Sequence, residues 1–154
     1  MKLPPSVAEF LAGKRIGVAG VSRDPRQTAN FIYRKLRDSG YEVVPVNPAA
    51  DEVEGARCYP DLASAPGPLD GLVVVTPPAA GIELVRQCAE MGVPRVWFHR
   101  AFGAGSLSRN AVRECEARGI TCIAGGCPYM YLEPVDPAHR CLRWILGWTG
   151  QLPG

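Results

Sequence analysis

Apolar residues in this chain fall into short unbroken runs separated by stretches of helical spacing, and the two patterns alternate along its 154 residues. The runs at 15–19, 42–46, 72–75, 95–98 and 121–124 are β-branched and apolar without alternation, which predicts strands buried on both faces. Between them, 27–39 sets Phe31, Ile32, Lys35 and Leu36 on adjoining turns of a helix, with Arg34, Arg37 and Asp38 on its polar face and Gly40 as its stop. A second helix over 78–91 opens with Pro78, buries Ile82, Val85 and Ala89, and stops at Gly92. A third, over 106–118, takes Ser106 as its N-cap and Gly119 as its stop. Residues 51–69 contain Gly55, Pro60, Gly67 and Pro68 and read as a connection carrying a minor edge strand at 56–59. The tail predicts a last helix over 136–147, capped by Asp136 with Pro137 in its first turn and Leu142, Ile145 and Leu146 on one stripe. Alternating strands and helices specify an α/β three-layer sandwich: a mainly parallel sheet of five to six strands with helices on both faces.

Length and composition narrow this further. At 154 residues the chain is one domain's worth of core, and 47% hydrophobic with 21% charged residues is ordinary for a soluble globule. A net charge of +2 provides no general attraction to nucleic acid or to an anionic membrane. No apolar run approaches the roughly 18 residues that span a bilayer, and the N-terminus lacks a signal peptide's apolar core, so a cytoplasmic protein is expected. The six cysteines form no C-x-x-C pair and there are two histidines, so no metal site is expected. Cys88 and Cys115 in helical patterns and Cys122 in a strand read as free, buried thiols. Trp144 and Trp148, four apart, read as core or subunit contact.

The candidate chemistry begins after the first strand, at Gly20-Val21-Ser22-Arg23-Asp24-Pro25-Arg26. A strand breaking into a glycine turn before a helix is a phosphate-holding arrangement, because glycine lets the backbone approach an anion and the helix start offers unpaired N–H groups. The dinucleotide fingerprint G-x-G-x-x-G is not met: Ser22 stands at the second glycine and Pro25 at the third. Ser22 adds a hydroxyl donor, and Arg23 and Arg26 add charge. Asp24 to Gln27 also has capping-box spacing, which describes an ordinary strand-to-helix turn with solvated arginines. The second strand ends in Val46-Asn47-Pro48, where NAD-binding folds carry a ribose-binding acid. Asn47 removes that carboxylate, and with it the repulsion that a ribose 3′-phosphate would meet; otherwise Asn47-Pro48 only turns the chain.

With Val18 to Pro25, Gly40-Tyr41-Glu42-Val43-Val44-Pro45-Val46-Asn47-Pro48, Tyr59-Pro60-Asp61-Leu62, Val96-Trp97-Phe98, Ala117-Arg118-Gly119-Ile120 and Cys127-Pro128 in order, the chain resembles the small stand-alone CoA-binding proteins. Their Rossmann-like domain is similar to the CoA-binding domain of the succinyl-CoA synthetase α subunit. The resemblance covers about residues 5–132 and implies a CoA-binding domain over 1–132, with 133–154 a helical extension packed on it. It implies that Gly20, Val21, Ser22, Arg23, Asn47, Pro48, Thr76, Pro77 and Pro78 lie around a coenzyme A or acyl-CoA ligand, with Arg26, His99 and Cys127 as further contacts. Two family arginines are replaced: Val75-Thr76 stands for Phe-Arg and Gly125-Gly126 for Asp-Arg, with Arg26 and Arg100 as candidate substitutes.

Candidates for catalysis are few. His99 follows a strand and is a general-base candidate without a neighbouring carboxylate in sequence, and otherwise a packing histidine. Cys127 precedes a possible helix start, which would lower its thiol pKa and allow a mixed disulfide with CoA. No catalytic residue is assigned. The expected function is non-catalytic, regulatory binding of CoA or an acyl-CoA by a homodimer or monomer, without nucleic-acid or membrane partners. The alternative is a small NAD(P)-dependent oxidoreductase or other nucleotide-using enzyme.

Overall fold

The apolar runs become one parallel sheet. The structure, a computed structural model, describes residues 2–101 and 105–153. The main strands are β1 (Arg15–Ala19), β2 (Glu42–Val46), β5 (Gly71–Val74), β6 (Arg95–Phe98) and β7 (Thr121–Ala124), in the spatial order β2-β1-β5-β6-β7. Their carboxyl ends are in step: Ala19 pairs with Val46 and Val74, Val74 with Phe98, and Phe98 with Ala124. Five chain segments therefore leave the sheet along one edge. The order reverses between β1 and β5, which is where open α/β sheets form a ligand crevice.

Alternate side chains divide the core into two layers. Ile16, Val18, Val73, Trp97 and Ile123 face α1 (Pro5–Leu11), α2 (Thr28–Asp38) and α5 (Pro137–Trp148). Val46, Leu72, Val74, Val96 and Phe98 face α3 (Gly81–Met91) and α4 (Arg109–Ala117). The parallel α/β sandwich expected from the pattern is present, with five strands in its main sheet.

Several local expectations are corrected. The first helix, α1, was not predicted; Pro4 and Pro5 set its start, and it buries only Val7 and Phe10, too little for a periodic signal. Phe10 packs edge-on against Trp97, with ring centroids 5.4 Å apart. On α2 the buried face is Ala29, Asn30, Ile32, Tyr33 and Leu36, and Phe31 is instead 46% exposed. On α3 the buried residues are Gly81, Leu84, Val85 and Cys88, with Ile82 and Ala89 at the margin, and Pro78–Ala80 forms a separate 3₁₀ turn. The N-cap of α4 is Ser108, whose hydroxyl accepts from the Ala111 amide; Ser106 is buried upstream of it. The edge piece at 56–59 splits: β3 (Glu52–Val53) and β4 (Ala56–Arg57) make a two-residue hairpin, and Tyr59 alone bridges to Val46. Glu54 and Gly55 at that hairpin's tip both have positive φ, the requirement of a tight type I′ turn. The helix at the C-terminus starts as expected, with Asp136 accepting from the His139 amide, but of its stripe only Leu146 is fully buried and Ile145 is exposed. Trp144 and Trp148 are exposed as well, which removes the reading of either as core.

Candidate functional site

The strand register places Gly20, Asn47, Val75, His99 and Gly125 side by side, each the first residue past its strand. Gly20 has φ +104°, and a Cβ there would collide with the Val75 carbonyl oxygen. Its amide donates to the Val46 carbonyl at 2.9 Å. Only glycine lets β1 turn this close to its neighbour, so the predicted turn rests on a specific steric requirement.

Asn47 holds the turn from the other side. Its Nδ2 donates to the Val21 carbonyl at 2.9 Å and its Oδ1 accepts from the Ala49 amide at 2.9 Å. Asn47 therefore braces the first loop as well as turning its own. Asn30, which the sequence reading did not single out, performs the same task from α2. Buried to 1% exposure, it accepts from the Ser22 amide at 2.9 Å and donates to the Ser22 carbonyl at 2.7 Å and to Glu54 at 2.9 Å. A polar residue on the buried face of an amphipathic helix, between Ala29 and Phe31, is the signal that would have found it. Arg34 completes the brace with an ion pair to the same Glu54 carboxylate.

The loop arginines differ in their freedom. Asp24 is not a helix cap, because α2 begins at Thr28 with Gln27 in the cap position. Asp24 accepts instead from the Arg26 amide and guanidinium at about 3 Å, and this contact lowers its pKa and raises that of Arg26. Arg23 is exposed, with no ion pair among the described residues. Ser22 accepts from the Asp24 amide through its hydroxyl oxygen, which leaves the hydroxyl proton directed by whatever acceptor approaches.

Three adjoining cavities follow the edge. The first, about 180 Å³, is lined by Gly20, Asn47, Pro48 and Thr76, with Leu84 and Gln87 from α3. The second, about 290 Å³, runs from Gly20 past the first turn of α2 at Gln27, Thr28 and Ala29 to His99. Amides in that first turn have no intrahelical acceptor. The third, about 430 Å³, lies between α2 and α5 and includes His99 and Cys127. The structure thus brings Gly20, Asn47, Pro48 and Thr76 together, sets Cys127 in the third cavity beyond them, and places His99 on the wall that the second and third cavities share. Pro77 and Pro78 are exposed on the rim, and Val21 is fully buried with its carbonyl taken by Asn47.

Two chemical expectations at this edge are corrected. Cys127 is 3% exposed and burial pushes its thiol up to about 12, against the lowering expected of a helix start; only a three-residue 3₁₀ turn follows it. Burial and the neighbouring His139 lower His99 to about 4, which makes it a weak base. At Gly125 and Gly126, where the resemblance expects Asp-Arg, a Cβ would lie 3.0 Å from the Gln151 carbonyl oxygen and 3.1 Å from Pro153. The C-terminal tail fills the space that larger side chains need.

This geometry agrees with what the chain is similar to. A protein of Bacillus subtilis, YneT, is 29% identical over 114 residues, covering 74% of this chain and 82% of that one. The alpha subunit of ADP-forming acetate–CoA ligase II from Pyrococcus furiosus is 30% identical over 106 residues, 68% of this chain but 23% of the subunit. A solved protein of Pyrococcus horikoshii superposes with a TM-score of 0.73 at 28% identity, over 82% of this chain and 92% of its own. Residues 14–133 match the CoA binding domain model, and the chain belongs to that family.

Proposed function

We propose that this chain binds coenzyme A or an acyl-CoA across the carboxyl edge of its sheet, without catalysing a reaction on it, as a regulatory binding protein. The observation that carries the reading is the braced Gly20 turn beside Asn47, a glycine-only backbone turn next to a strand end that presents an amide in place of a carboxylate. The adenosine end lies against Asn47, Pro48 and Thr76, the phosphates at Gly20, Ser22 and the first turn of α2, and the pantetheine runs toward His99. Arg23 meets the 3′-phosphate, and Arg26, tied to Asp24, contributes at longer range. Family membership supports this ligand, and so does the CoA named in the ligase relatives. This chain spans about a quarter of such a ligase subunit, and the ligase reaction is not carried over. The weak base at His99 and the protonated thiol at Cys127 support a binding role.

An NAD(P) oxidoreductase is not favoured, since Asn47 stands where NAD-binding folds carry a ribose-binding carboxylate. In this reading residues 1–132 hold the ligand and 133–154 close the far end of the edge. Among the described residues no helix is long and apolar enough to cross a membrane, which accords with the proposed cytoplasmic location. The exposed Trp144 and Trp148, with ring centroids 5.3 Å apart, are the proposed contact of a homodimer.

Calorimetric titration of the reduced protein with CoA, dephospho-CoA, NAD and NADP tests the reading. CoA should bind tightest, and Arg23→Ala should erase the difference between CoA and dephospho-CoA. Tighter binding of NAD would overturn the assignment. Sedimentation of the same samples should show a dimer that Trp148→Ala dissociates; a wild-type monomer removes the dimer from the proposal.

A further inference from the structure

Phe31 projects from α2 with 46% of its surface exposed while its neighbours Asn30 and Ile32 are buried. It does not face open surface alone: together with Ile32, Tyr129 and Leu142 it walls the 430 Å³ cavity between α2 and α5. That volume is nearly three times the roughly 150 Å³ known to take up a benzene-sized apolar guest. Thr28 and His99 line both this cavity and the one that reaches Gly20, so the phosphate turn and the apolar chamber share a wall. A ligand leaving the turn along the edge arrives here.

Resting on the CoA reading above, the geometry points to an acyl pocket: the chamber between α2 and α5 receives the uncharged, apolar acyl group of a CoA thioester, of about six carbons or an aromatic ring. The walls are mainly hydrocarbon and aromatic, with Thr28, His99, Cys127 and His139 as the polar members and no carboxylate or ammonium group among the lining residues. The two titratable groups that enter from the sheet, His99 and Cys127, are uncharged at neutral pH, which fits an apolar guest and leaves a thioester unattacked. A dicarboxylic acyl group would have to bury its carboxylate there with no lysine or arginine among the lining residues, Lys35 lying across the Tyr129 ring at 5.6 Å with its ammonium donating to the Pro134 carbonyl. Tyr129 stacks on His139 at a centroid distance of 4.8 Å, and His139 is held by Asp136, so that wall is fixed before any ligand enters. Fixing the wall in advance lowers the ordering cost of filling the chamber.

Calorimetry with free CoA, hexanoyl-CoA and succinyl-CoA on the full chain tests this. Since one methylene in a hydrophobic pocket is worth about tenfold, hexanoyl-CoA should bind at least about tenfold tighter than CoA, and succinyl-CoA no tighter than CoA. Phe31→Asp, at a half-exposed position that leaves the core intact, should bring the hexanoyl-to-CoA ratio to about one, and Leu142→Glu should do the same from α5. CoA binding with a ratio at or below one in the unmodified protein, or a ratio that survives both substitutions, overturns the acyl pocket and leaves the CoA reading standing. No binding of CoA or of either thioester overturns both.

Discussion

The two ends of the carboxyl edge are built by different forces. At the β1–β2 end, position is set by hydrogen bonds: Asn47 to Val21, Asn30 to both backbone groups of Ser22, and Gly20 to Val46. At the β6–β7 end, position is set by packing among Tyr129, Leu142, His99 and Cys127, with the helix α5 as the outer wall. Hydrogen bonds are directional, so the first end suits a ligand's phosphates and ribose; packing is permissive, so the second suits an apolar group of approximate size. A ligand with a charged head and an apolar tail matches both ends at once.

Substitutions should separate the two ends. The largest effect is expected from Gly20→Ala, which forces a side chain into positive φ against the Val75 carbonyl. Strain and overpacking together should cost roughly 3–5 kcal/mol in urea unfolding, with loss of CoA binding. Retained stability would mean that the turn can relax, and that the first end is less rigid than its hydrogen bonds imply. Next is the pH dependence carried by His99 at the second end. Its folded pKa of about 4 lies below the ordinary 6.5, so between those values the unfolded chain binds more protons. Stability should be full above pH 6.5 and decline as pH falls toward 4, by up to about 3 kcal/mol, and His99→Gln should flatten that slope. The smallest of the three is Asn30→Ala. Leaving the Ser22 amide and carbonyl without their partner should cost about 2 kcal/mol and weaken CoA more than it weakens any preference for the acyl group.

The first end was the more legible in sequence. Gly20 and Asn47 announce themselves because few residues satisfy a positive φ or turn the chain after a buried strand, and those constraints are local. Asn30 was missed because its role depends on Glu54 and Ser22, which lie 24 and 8 residues away. The second end was the less legible. His99 and Cys127 were marked from their place after strands, but their protonation follows from burial under α5, and no local pattern reports how deeply a side chain is covered. Helical spacing groups Phe31 with Ile32 and Leu36 because it identifies a stripe but not its margin, and the margin is what lines the cavity. The five strands of the main sheet were legible, since burial leaves unbroken apolar runs, while the two-residue strands β3 and β4 are too short to carry such a run.

Because the strand ends are in step, the edge also works as a ruler. Four interstrand steps separate β2 from β7, and at about 4.8 Å each they set a baseline of roughly 19 Å between the strand ends at Asn47 and Gly125. A mononucleotide covers only part of that baseline, so under the proposed reading the nucleotide half and the acyl half of a thioester would meet separate parts of the edge. On the proposed CoA reading, selectivity would come from the tether that joins those halves: each would present the other at high effective concentration, and the intact molecule should be held far more tightly than either half alone.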